Sequence, residues 1–85
     1  KLFLKGESRN MNIKEKVVVN NIKRLNNSIN GNPQYMIYTN NGVARTEKDS
    51  MLAYKYNWYR FEGNEVEIEY YFKNDRAYLT KIEKV

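Results

Sequence analysis

The sequence predicts a mostly β domain, because apolar and polar residues alternate over several short stretches. In the clearest stretch, 65–72, apolar side chains alternate with glutamates, which is typical of a strand with one buried and one solvated face. The apolar members are Val66, Ile68, Tyr70 and Phe72, and the acidic members are Glu65, Glu67 and Glu69. The polar segment 73–76 predicts a tight turn into a returning strand. Asn41-Gly42, between two extended stretches, predicts a second hairpin.

Length and composition restrict the classes of protein to consider. The chain has 85 residues, which is enough for one small domain. We expect this domain to span 11–85, because Met11 resembles a natural start, and we interpret 1–10 as an added or leftover segment. The apolar piece Leu2-Phe3-Leu4 is too short to cross a membrane, so no membrane partner is expected. The absence of cysteine favours a cytoplasmic location.

The first half of the chain predicts three strands. Residues 16–25 form a long first strand, with a bulge at Asn20-Asn21 where the alternation slips by one position. The Asn-rich segment 26–33 is a loop that ends at Pro33. Gln34–Thr39 is the second strand, and 43–47 is the third, after the Asn41-Gly42 turn.

The second half predicts one short helix and two more strands. Asp49-Ser50 is expected to cap a helix of about two turns that ends near Asn57. Residues 58–61 are expected to be extended. The strand 65–72 and a final strand, 78–84, follow. This order is that of a five-stranded OB-like barrel with one short helix between strands 3 and 4. An SH3-like barrel or a sheet covered by one helix would also fit.

The loop Asn27-Ser28-Ile29-Asn30-Gly31-Asn32-Pro33-Gln34-Tyr35 carries a resemblance. It is similar to an N-S-x-x-G-N-P-x-Y loop that joins the first two strands of small uncharacterised β-rich proteins encoded by phages and prophages. The resemblance extends over most of 17–85. It implies a viral origin and a role in the cytoplasm of a bacterial host, and it brings no catalytic residue.

Catalysis is not expected. The chain has neither histidine nor cysteine, which removes the commonest general base, the nucleophilic triads and most transition-metal ligands. The glutamates of 65–69 lie about 7 Å apart along a strand, too far apart to share one metal ion. Asp49, near Glu47, is interpreted as a helix cap. We therefore predict a protein that is not an enzyme and needs no metal or cofactor.

The segment 54–61 is the strongest candidate for a binding surface, because its aromatic residues alternate with basic and amide groups. Trp58 is expected in the core, whereas Tyr56 and Tyr59 are expected to be exposed. Aromatic rings stack on bases and cations contact phosphates in proteins that bind single-stranded nucleic acids. The candidate stacking residues are Tyr35, Tyr38, Tyr56 and Tyr59, and the candidate phosphate-binding residues are Lys23, Arg24, Arg45, Lys55 and Arg60.

These residues, with a net charge of +5, predict a non-catalytic module that binds single-stranded DNA or RNA. The alternative is a phage-encoded protein-interaction module that acts on a host factor, a phage protein or within an oligomeric assembly, since Tyr and Arg are also enriched at protein interfaces. A substrate-binding accessory domain is a third hypothesis. A homo-oligomer could form by pairing of an exposed strand edge within 79–85.

Overall fold

A computed structural model describes residues 12–85; the predicted leftover segment, 1–10, lies outside these residues. The described part contains five strands and two short helical segments. The strands are β1 (Ile13–Leu25), β2 (Gln34–Thr39), β3 (Gly42–Thr46), β4 (Glu65–Lys73) and β5 (Arg76–Lys84). The helical segments are α1 (Leu52–Lys55) and a 3-10 helix (Trp58–Phe61).

The strands form one closed barrel in the order β1-β2-β3-β5-β4, in which β1 pairs with β4. All neighbouring strands are antiparallel except β3 and β5, which are parallel over three residue pairs. The mostly β class, the five-stranded barrel and the short helix between β3 and β4 are confirmed. The size and topology are consistent with the OB-like prediction and with its SH3-like alternative.

Strand β1 closes the barrel because it pairs with a different neighbour along each half. Its first half pairs with β4, where Val17 lies opposite Val66, and its second half pairs with β2, where Ile22 lies opposite Ile37. The register shifts between Val19 and Asn21, at the predicted bulge. A bulge bends a strand and increases its twist, which allows β1 to pair with β4 along its first half and with β2 along its second half.

The core consists of aliphatic side chains from all five strands, capped at one end by Trp58. Val66 and Ile68 are buried as the alternation predicted, but Phe72 is 49% exposed. Phe72 lies opposite Ala77, near the hairpin turn, where β4 extends past the end of the packed interior. The inward face of a strand is therefore buried only as far as the barrel extends.

The connection between β3 and β4 differs from the prediction in two ways. Helix α1 has a single turn, and the hydroxyl oxygen of Ser50 accepts a hydrogen bond from the Leu52 N–H (3.0 Å) close to its start. Residues 58–61 are not extended but form the 3-10 helix, in which Trp58 and Phe61 are both buried. Side chains three positions apart align in a 3-10 helix, so one turn directs both rings into the core.

Both predicted hairpins are present. Asn74 and Asp75 have φ values of 52° and 64°, which the two-residue turn between β4 and β5 requires of both positions. In the β2–β3 hairpin the loop residues are Asn40 and Asn41, one position before the predicted Asn41-Gly42. Gly42 instead begins β3 with a φ of 124°, a conformation that side chains other than glycine rarely adopt.

Candidate functional site

A line of outward side chains crosses all five strands of the barrel. Cross-strand register places Lys23 beside Met36, Met36 beside Arg45, Arg45 beside Tyr78, and Tyr78 beside Tyr71. The residues next to them along the strands, Ile22, Ile37, Ala44, Ala77 and Leu79, are buried. Since side chains alternate along a strand, the five belong to the outer face. We call this line the outer row.

Tyr38 extends the outer row along β2. It lies opposite Asn21 and Val43, on the same side of β2 as Met36, and its hydroxyl donates to the Met36 sulfur at 3.8 Å. This surface is the outer face of β2 and β3 in the barrel. The predicted residues Tyr38, Lys23 and Arg45 therefore lie on one surface.

Tyr71 and Tyr78 form the aromatic end of the outer row. Their rings stack with centroids 5.8 Å apart and an angle of 27° between planes. The Tyr71 hydroxyl donates a hydrogen bond to Oε2 of Glu47, and this bond, followed by burial, raises the pKa of Tyr71 to about 12. The phenol is therefore protonated at neutral pH and holds the carboxylate beside the two rings.

Positive charge concentrates around the outer row. The cations on or beside it are Lys23, Arg45, Lys48, Lys73 and Arg76, against the acids Glu47 and Asp75. On the surface formed by β4 and the first half of β1, lysines and glutamates face one another, as in the pairs of Lys14 with Glu69 and Lys16 with Glu67. Charges of alternating sign cancel at a distance, whereas the side chains on and beside the outer row include five cations and two acids.

The structure separates the remaining predicted residues from the outer row. Tyr35 alternates with Met36 and therefore lies on the opposite side of β2, where its ring stacks on Trp58 at 5.3 Å. Arg24 lies opposite Tyr35 in β1, with its guanidinium carbon 5.7 Å from the centre of that ring. Tyr35 therefore lies apart from the outer row, with its ring edge-on to Tyr59 of the segment 54–61 at 6.5 Å, where it covers one end of the core.

The segment 54–61 surrounds the same end of the barrel. Trp58 is buried as predicted, and Tyr59 is exposed as predicted. The expectation that Tyr56 would be exposed is wrong, since its ring packs edge-on against Trp58 and Phe61 and its hydroxyl donates to the Ile82 carbonyl (3.0 Å). Lys55 and Arg60 are exposed beside this aromatic group, away from the outer row.

Three comparisons were made with known proteins. No protein-family model, curated protein or solved structure matches the chain. Within residues 12–85, no helix has the length and apolar character needed to cross a membrane. The same part of the chain contains no group of three or more acidic side chains placed to hold a metal ion. Candidate functions therefore depend on the geometry of the outer row.

The loop between β1 and β2, residues 26–33, borders one end of the surface formed by β2 and β3. Asp49 holds this loop in place through hydrogen bonds. The Asp49 carboxylate accepts hydrogen bonds from Ser28 (2.6 Å), Asn30 (2.7 Å) and Asn32 (2.7 Å). Asp49 was predicted as a helix cap; its φ of 59° turns it toward this loop instead. The three bonds, that from Asn32 first, lower the pKa of Asp49 from 3.8 to about 2.

This pKa predicts a contribution to stability that depends on pH. A carboxylate with a lowered folded pKa stabilises the protein above pH 3.8, and the contribution disappears as the pH falls toward 2. We expect Asp49→Asn to lower the urea midpoint at pH 6 and to match the wild type only below about pH 2. Urea titrations of both proteins across this range, followed by circular dichroism, test this. A gap between the two midpoints that stays constant with pH would contradict the role of the ionised carboxylate.

Sequence reasoning missed Met36, Tyr71, Tyr78 and Glu47. A two-residue turn at 74–75 places Tyr71 opposite Tyr78, so this pair could have been derived from the predicted hairpin. The alternation within β2 also separates Tyr35 from Tyr38. The contact of Glu47 with Tyr71 had no local signal, because it joins the end of β3 to β4.

Proposed function

We propose that the outer row and Tyr38 bind single-stranded nucleic acid. The observation that carries the proposal is that Arg45 lies beside Tyr78 across the β3–β5 pairing, while Tyr78 stacks on Tyr71 in a groove that Lys48 and Lys73 also line. Proteins that bind single strands without strict sequence preference combine these two elements, a positive groove for the backbone and rings for the bases.

The dimensions of the outer row suit a short oligonucleotide. The row curves around the closed barrel with about 4.8 Å between neighbouring strands, and a single strand of about 4 nucleotides or more would follow this curve, as on single OB folds. Arg45 lies between Met36 and Tyr78, so a phosphate near its guanidinium would leave neighbouring bases within reach of the aromatic end. Tyr38 offers a second ring farther along β2.

A salt titration tests the proposal. Fluorescence anisotropy with labelled oligothymidylate and oligouridylate of about 12 nucleotides should show binding, with affinity falling log-linearly between about 50 and 200 mM salt. For three to five phosphate contacts the expected slope is about −2 to −3.5. Arg45→Ala should reduce the slope by roughly 0.7, whereas Lys81→Ala, in β5 opposite Glu69, should leave it unchanged. Absence of binding to both oligonucleotides at low salt would overturn the proposal.

A protein partner is the second candidate, in line with the phage-encoded interaction module that the sequence suggested. Val43, beside Tyr38 in the register, is 45% exposed, and Phe72 is 49% exposed. Both line one cleft with Tyr70 at the hairpin end of the barrel. Tyrosine is enriched among the anchors of protein interfaces, and Tyr70 lines this cleft beside the exposed Phe72 ring. Tight binding to a host or phage protein with little dependence on salt, and none to oligonucleotides, would favour this function.

A further inference from the structure

Glu47 is an acidic residue within a groove whose other charges are positive. The groove is lined by Glu47, Lys48, Tyr71, Lys73 and Tyr78. A carboxylate in such a place repels phosphate and therefore lowers affinity for any nucleic acid backbone. Unless Glu47 contacts another part of the ligand, its position opposes the function proposed for this surface.

The hydrogen bonding of Glu47 leaves one oxygen available. Oε2 accepts the hydrogen bond from the Tyr71 hydroxyl, and no donor within residues 12–85 bonds to Oε1. Tyr71 itself is fixed by its stacking on Tyr78. The carboxylate is thus held at the edge of the aromatic pair, where the edge of a base stacked on these rings would lie.

The chemistry of the free oxygen selects among bases. A carboxylate only accepts hydrogen bonds, and it pairs well with the exocyclic amino group of cytosine. Thymine and uracil present carbonyl oxygens at the corresponding position, which a carboxylate repels. Cytosine and thymine have rings of the same size, so a difference between them reports edge recognition and not stacking.

We propose that Glu47 makes the outer row selective for bases that carry an exocyclic amino group, cytosine over thymine or uracil. This inference rests on the proposed function and deepens it. Tyr71 is a positioning residue, because it directs the carboxylate without itself distinguishing the bases. One well-placed hydrogen bond of this kind contributes about 5-fold discrimination or more.

The test compares oligodeoxycytidylate and oligothymidylate of equal length at about pH 7.5, by anisotropy. The wild-type protein should prefer oligodeoxycytidylate by about 5-fold or more. Glu47→Gln keeps an acceptor for Tyr71 and replaces the free oxygen by an amide donor. It should therefore bind oligothymidylate more tightly and lose or reverse the preference. Tyr71→Phe, which releases the carboxylate, should reduce the preference. Glu67→Gln, in the part of β4 that pairs with β1 beside Lys16, is the matched control and should retain it.

The outcomes separate this inference from the proposed function. Equal wild-type binding of the two oligonucleotides would overturn the role of Glu47 while leaving nucleic acid binding intact. A Glu47→Gln variant that changes both affinities by the same factor would also overturn it, since the residue would then act only through charge. No binding of either oligonucleotide would overturn the proposed function itself. Circular dichroism of each variant verifies that the barrel is retained.

Discussion

Replacing Trp58 with alanine is expected to destabilise the protein by about 3–5 kcal/mol, the cost typical of removing a large aromatic side chain from a core. Trp58 is 1% exposed, stacks on Tyr35 and packs edge-on against Tyr56 and Phe61. Its indole N–H also donates to the Ala53 carbonyl (3.1 Å). Small domains have about 5–15 kcal/mol in total, so a substantial part of the stability should disappear.

Urea denaturation followed by far-ultraviolet circular dichroism measures this loss, since the variant has no tryptophan fluorescence. Trp58→Phe separates the two contributions: it retains a ring but leaves the Ala53 carbonyl without its donor, so an intermediate loss is expected. Tyr59→Ala, at an exposed position of the same 3-10 helix, should change the midpoint little. A small effect of Trp58→Ala would contradict the role of this aromatic group as the cover of the core.

Replacing Tyr78 with alanine is expected to weaken oligonucleotide binding by about 1–3 kcal/mol, or roughly 5- to 150-fold. Tyr78 connects the two parts of the proposed site, because it lies beside Arg45 in β3 and stacks on Tyr71 in β4. Its removal takes away one stacking ring and the support of the other.

Anisotropy titrations at low salt measure the effect, with a urea titration to verify that the variant is folded. Tyr78→Phe keeps the ring and should bind like the wild type. Tyr59→Ala removes an exposed ring of the group around Trp58, and no loss is expected. If Tyr59→Ala weakened binding and Tyr78→Ala did not, the ligand would occupy the end of the barrel and not the outer row.

The strands could be predicted because their signals are local. Alternation places Val66 and Ile68 inside the barrel, and the bulge in β1 is visible as a slip at Asn20-Asn21. The segment 58–61 was misread because four residues are too few to reveal a period, so only packing decides between an extended and a 3-10 conformation. Phe72 was misread because alternation gives the face of a strand and not the place where the core ends.

The candidate site could be predicted only in part. Its composition of tyrosine and arginine was clear, but its location depends on which strands become neighbours. Arg45 meets Tyr78 through the parallel pairing of β3 and β5, whose members lie far apart in sequence. Asp49 was expected to serve the nearby helix and instead binds a loop about 20 residues earlier, a long-range contact that no local pattern encodes.

The parallel contact between β3 and β5 is the shortest ladder of the barrel, with three pairs against eight between β4 and β5. We therefore expect the barrel to open first between β3 and β5, because fewer backbone hydrogen bonds resist separation there. Arg45 in β3 and Tyr78 in β5 lie opposite each other across this contact. A ligand that contacts both residues would hold the two strands together. Its binding would therefore raise the free energy of unfolding of the barrel.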